Sequence, residues 1–61
     1  MTIDEAVKQI PAGWRLRLTN WEAPDESGWG AELYHKDGRK VVGDEDQPDA
    51  AIMSAVRQIK V

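Results

Sequence analysis

At 61 residues the chain is one domain at most, and without cysteine it has neither a disulfide nor a thiolate metal site to staple it. A chain of this size buries only roughly 60% of the surface its unfolded form exposes, so its apolar residues must be used economically. Eleven acids against eight bases leave it at −3, and no apolar run approaches the roughly 20 residues of a membrane span, which argues against a bilayer segment and against the basic footprint of a nucleic-acid binder.

The charge is unevenly distributed. Residues 22–49 hold nine acids (Glu22, Asp25, Glu26, Glu32, Asp37, Asp44, Glu45, Asp46, Asp49) and three bases (Lys36, Arg39, Lys40), a net −6, while the rest of the chain nets +3. An acidic middle repels phosphates and attracts a basic surface. Met1 leads almost directly into a helical pattern with no basic and apolar leader, so the expected setting is the cytoplasm, with no membrane association.

Thr2-Ile3-Asp4-Glu5 fits a capping box, in which Thr2 accepts from the backbone three residues on and Glu5 reaches back to the Thr2 N–H. Ile3, Ala6, Val7 and Ile10 follow helical spacing, and Pro11 with Gly13 stops the run; a first helix is expected over 3–10. Residues 14–21 alternate, with Trp14, Leu16 and Leu18 on one side and Arg15, Arg17 and Thr19 on the other, which predicts a strand with one wet face. Residues 22–28 contain Pro24, Asp25, Ser27 and Gly28 and read as a loop. Alternation resumes over 29–36: Trp29, Ala31, Leu33 and His35 face inward, Glu32 and Tyr34 outward. Asp37-Gly38 signals a tight turn, and residues 39–43 return as a third strand with Val41 or Val42 inward.

Residues 44–48 form an acidic connector in which Asp46 is a candidate helix cap. Pro48 suits a first helical turn and Asp49 the positive end of the helix dipole. Ile52, Ala55, Val56 and Ile59, flanked by Ala51 and Met53, make the apolar stripe of a second helix over 48–60, with Arg57 and Lys60 in its last turn. The expected fold is α+β: a single domain over 1–61 in the order α-β-β-β-α, with a three-stranded antiparallel meander and both helices on one face.

Gly13-Trp14, Trp21, Gly28-Trp29-Gly30-Ala31, Val41-Val42-Gly43 and Pro48 before an Ala-rich helix together resemble small phage and prophage αβββα proteins, the phage ABA-sandwich type. Size, layout and acidity also resemble anti-CRISPR inhibitors. That resemblance implies a protein that binds a CRISPR effector and blocks DNA recognition, in several cases by mimicking DNA charge; no site residues transfer by motif. The element order also matches the double-stranded-RNA-binding domain. That domain has a Lys-rich cluster at the start of its last helix, where this chain has Asp44, Glu45, Asp46 and Asp49.

The candidate partner-binding residues are Asp25, Glu26, Asp44, Glu45, Asp46 and Asp49, with Trp21 and Tyr34 as aromatic anchors. Capping and solubility also account for most of these acids, and burial beneath the 22–28 loop would account for Trp21. Cross-strand pairing of Arg15 and Arg17 with Glu32 is the plain reading of the outer face. The Asp44-Glu45-Asp46 run lacks calcium-loop spacing, so no metal or other cofactor is expected. The lone His35 has no nucleophile and orienting partner in any recognisable pattern, so no catalytic residue is assigned and no enzymatic activity is expected.

The expectation is a non-enzymatic, phage-type inhibitor acting as a DNA mimic on a host protein or CRISPR effector complex with a basic surface, itself a monomer or weak homodimer. The alternative is an accessory interaction module without an inhibitory role, which binds a phage or host protein through the open sheet face or acts as a homodimer. Direct nucleic-acid binding through Arg15, Arg17, Lys36, Arg39 and Lys40 is a third option, opposed by the net charge.

Overall fold

The computed structural model describes residues 2–59 and has the expected α-β-β-β-α order. Helix α1 (Ile3–Val7) leads to strands β1 (Trp14–Ala23), β2 (Glu26–His35) and β3 (Lys40–Glu45), and helix α2 (Pro48–Ile59) closes the domain. The strands form an antiparallel meander in the order β1-β2-β3. Both helices lie on one face; α2 packs on β2 and β3, and α1 against α2.

Alternation decides which side chains meet α2. Leu16↔Leu33↔Val41 and Leu18↔Ala31↔Gly43 are cross-strand rows on the helix side. Leu33, Ile52 and Val56 are fully buried with Ala6, Ala31, Ala51 and Ala55; Trp14, Leu16, Leu18, Trp29 and Val41 are half-buried against them. Each fully buried large side chain contributes about 1.5–3 kcal/mol. The core is rich in alanine because helix and sheet backbones run close together. They approach closely at Gly43, where a methyl group would collide with the Ala51 carbonyl oxygen and lie 2.6 Å from the Ala55 nitrogen and 2.8 Å from the Ser54 Cβ.

Several boundaries differ from the sequence expectation. Helix α1 ends at Val7 rather than Ile10, and its stripe is only half used: Ala6 is buried and Ile10, beyond the helix, packs against the core, while Ile3 and Val7 remain exposed. Thr2 Oγ1 accepts from the Glu5 N–H at 3.2 Å, but Glu5 turns its carboxylate to the Thr2 hydroxyl instead of the Thr2 N–H. The expected 22–28 loop is a hairpin. Glu22↔Ser27 and Ala23↔Glu26 pair, leaving only Pro24-Asp25 as the turn. Among the described residues no non-glycine residue has positive φ, so the turn rests on proline's fixed φ rather than on a primed geometry.

Strand β3 runs on through Asp44 and Glu45, which pair with Gly30 and Trp29, so the connector shrinks to Asp46-Gln47. Gln47, not Asp46, directly precedes α2, and its carbonyl accepts from the Ala51 N–H at 3.0 Å. The expected end of α2, with Lys60, lies outside the described residues. At the β2–β3 turn, His35 accepts from the Gly38 N–H and donates to the Arg39 carbonyl, both at 2.9 Å. Gly38 takes φ +100°, the left-handed position of a three-residue hairpin loop.

Gly43→Ala is expected to cost at least about 2–3 kcal/mol, because the added methyl meets two backbone atoms of α2, which a side-chain shift cannot relieve. Urea denaturation followed by circular dichroism reads this as a lowered midpoint. An unchanged midpoint would mean that α2 does not seat on β3 in this way.

Candidate functional site

Two surfaces carry the residues singled out in the sequence. The first is one end of the molecule. Strand β1 runs out to the Pro24-Asp25 turn, β2 returns from it, and β3 comes back to the same end, with Glu45 opposite Trp29. Helix α2 starts there two residues later. The meander therefore brings together two stretches of chain that hold no lysine or arginine, 18–35 and 41–56.

Asp25 is in the hairpin turn, Glu26 at the start of β2, Asp44 and Glu45 at the end of β3, Asp46 in the connector and Asp49 in the first turn of α2. All are exposed except the half-buried Asp49. The Asp44 carboxylate lies on the open face over Gly30; Glu45, the next residue, is on the helix side. Glu22, which the motif reading did not single out, joins them opposite Ser27. The signal that would have found it is the absence of bases over 18–35. Among the described residues none of these seven acids is in an ion pair. Nor does any group of three or more His, Asp or Glu stand close enough to hold a metal ion, so the acids are strung out rather than gathered around a point.

The opposite end is basic. Arg15, Lys36, Arg39 and Lys40 surround the β2–β3 turn and the start of β1. Arg39 lies 5.4 Å over the Trp14 ring and pairs with Asp37 at 2.7 Å; His35 Nδ1 is 2.9 Å from the same carboxylate and its ring meets Trp14 edge-on. A shallow depression lined by Trp14, Arg39, Lys40, Val41, Gln58 and Ile59 opens beside them.

The second surface is the open face of the sheet, with Arg15, Arg17, Thr19 and Trp21 from β1, Glu32 and Tyr34 from β2, and Lys40 and Val42 from β3. Trp21 does not fold beneath a loop, since there is none. It lies half-buried across the two glycines of β2: a Cβ on Gly28 would meet the indole at 2.7 Å, and one on Gly30 would touch it at 3.9 Å. Glycine inside a strand here makes room for an aromatic ring.

Tyr34 forms part of a closed polar network. Its hydroxyl donates to Glu32 Oε2 at 2.6 Å, Lys40 Nζ reaches the same oxygen at 3.3 Å and lies over the Tyr34 ring, and Arg17 stands 4.0 Å from Oε1. The Tyr34 hydroxyl, with help from Lys40 and Arg17, holds the Glu32 carboxyl below the usual carboxylate range. Asp37 is likewise lowered, chiefly by the Arg39 backbone N–H.

No protein-family model, curated protein or solved structure matches the chain. Among the described residues no helix is long and apolar enough to cross a membrane.

Because Glu32 ionises more readily in the folded state, its contribution to stability is complete above the ordinary carboxylate range and is lost as pH falls through the lowered value. Glu32→Gln should therefore lower the denaturation midpoint at neutral pH, with the gap to the parent closing as the solution is acidified. A gap that stays constant with pH would contradict the assignment.

Proposed function

We propose that this chain is a non-enzymatic inhibitor of the anti-CRISPR kind, which docks its acidic end into a basic nucleic-acid-binding groove of a host effector complex and keeps DNA out. The observation that carries this reading is the convergence of two base-free stretches at one end, bringing together seven carboxylates of which none is ion-paired among the described residues. A groove built for phosphates presents lysine and arginine along its length, and strung-out carboxylates suit it better than a compact cluster would. A domain this small encloses no substrate, but occluding a groove needs only one end of it. Opposite charge on the two partners speeds encounter and sets orientation.

The alternative, an accessory module binding through the open sheet face, draws on Trp21 and on the exposed Val42. The ion-paired and hydrogen-bonded state of Glu32, Tyr34 and Lys40 weighs against it, because a partner there would have to displace contacts these groups already make with one another.

The test is competition with target DNA for a purified CRISPR effector complex. The parent chain should block DNA binding, and less well as salt rises. Asp44→Lys, Glu45→Lys and Asp46→Lys combined should weaken the block at least about 100-fold, roughly 3 kcal/mol, with the circular dichroism spectrum unchanged. Undiminished inhibition by the triple variant would remove the proposal. Loss of inhibition in Arg17→Glu or Tyr34→Ala alone would favour the open face instead.

A further inference from the structure

The two edges of the sheet are not alike. In β2, His35 donates to Arg39 on β3, so the odd-numbered residues of β2 direct their backbone groups to β3 and the even-numbered ones to β1. By the β1–β2 register, the even-numbered residues of β1 then point their N–H and C=O groups away from the sheet. On the β3 edge the corresponding carbonyl, that of Val42, accepts from Gln58 Nε2 of α2. On the β1 edge no backbone partner among the described residues meets Leu16, Leu18 or Asn20.

Apart from the charges of Arg15, Arg17 and Glu22, the β1 edge lacks the features that usually discourage further pairing. It is ten residues long, its register with β2 runs unbroken from Trp14 to Ala23, and it contains no lysine, proline or bulge. We infer that β1 pairs antiparallel with β1 of a second copy, joining two three-stranded sheets into one of six strands about a two-fold axis at Leu18.

Charge and side-chain complementarity select both the occupant and the register. Antiparallel pairing of two identical β1 strands sets the basic start of one copy beside the acidic hairpin of the other. With the axis at Leu18, Leu18 faces Leu18, Leu16 faces Asn20, Arg15 faces the second copy's Trp21, Arg17 faces Thr19 and Trp14 faces Glu22 at the ends of the seam. An axis at Arg17 would set Arg17 against itself, and one at Leu16 would set Arg15 against Arg17 twice. An axis at Thr19 would set Leu18 against Asn20 and Leu16 against Glu22, leaving no leucine facing leucine. Only the Leu18 register opposes no like charges, places Arg15 beside an aromatic ring and joins leucine to leucine. The contact leaves Asp44, Glu45 and Asp46 near the far edge of the sheet, so it does not rest on the proposed inhibitory role.

A seam one strand wide buries little, and the dissociation constant should be on the order of 10 μM. Sedimentation equilibrium of the full chain should show a monomer passing to a dimer across that range. Amide exchange at Leu16, Leu18 and Asn20 should slow as concentration rises. Thr19→Arg, on the exposed face, sets arginine against Arg17 twice and should weaken the dimer at least about tenfold. Asn20→Pro removes an N–H that only the second copy would use and should do the same; should that variant misfold, Thr19→Arg decides. A chain that stays monomeric to millimolar concentration would overturn the inference. So would a dimer indifferent to Thr19→Arg with freely exchanging Leu18, or a monomer whose β1 edge takes up only an unrelated extended peptide.

Discussion

The seat of α2 on β3 is the contact on which the rest depends. Gly43 gives the sheet a place with no side chain, and Ala51 and Ala55 give the helix a matching flat side, so the two backbones approach more closely than any larger residues would permit. That approach lets Leu33, Ile52 and Val56 reach full burial in a domain with little interior to offer. Helix α1 adds mainly Ala6, and the wide outer face of the sheet relies on Trp21 and the Glu32 network to cover what no helix covers.

The same seat controls where the charge goes. A two-residue connector sends α2 straight back along β3, so the first turn of α2, with Asp49, stays beside the end of β3, and Arg57 is carried to the other end. The hairpin returns β2 beside β1 and delivers Glu22, Asp25 and Glu26 to the acidic end. The placement of these acids at one end and of Arg15, Lys36, Arg39 and Lys40 at the other is thus a consequence of chain path. It results from base-free stretches that the meander folds to one side. Binding into a basic groove and antiparallel pairing of two copies would both draw on this asymmetry.

The element order was legible because local signals agree with the final packing. Thr2 caps, Trp14 to Leu18 alternate, Gly38 marks the turn and Ile52 to Ile59 keep helical spacing. What was not legible depended on contacts distant in sequence. Ser27, Gly28 and Gly30 look like strand breakers until an indole is laid across the two glycines, and no local pattern announces that ring. Asp44 and Glu45 are poor strand formers, and they extend β3 because Trp29 turns its backbone groups toward Glu45, which carries Asp44 along opposite Gly30. After Val7 the Gln9 and Ile10 N–H groups bond three residues back, to Ala6 and Val7, so the helical spacing of Ile3 to Ile10 outlasts the helix itself. For the candidate site, the acids themselves were visible in the sequence, but their convergence required the topology, and Glu22 became prominent only through it.

The central claim is that the acidic end is an electrically distinct docking surface. It is tested most directly by following backbone amide resonances of the chain while a short oligo-arginine peptide is titrated in at low salt. The account predicts shifts confined to residues 22–27 and 44–49 that fade as salt is added. Shifts spread evenly over the molecule, or concentrated on Arg17, Glu32 and Tyr34, would contradict it.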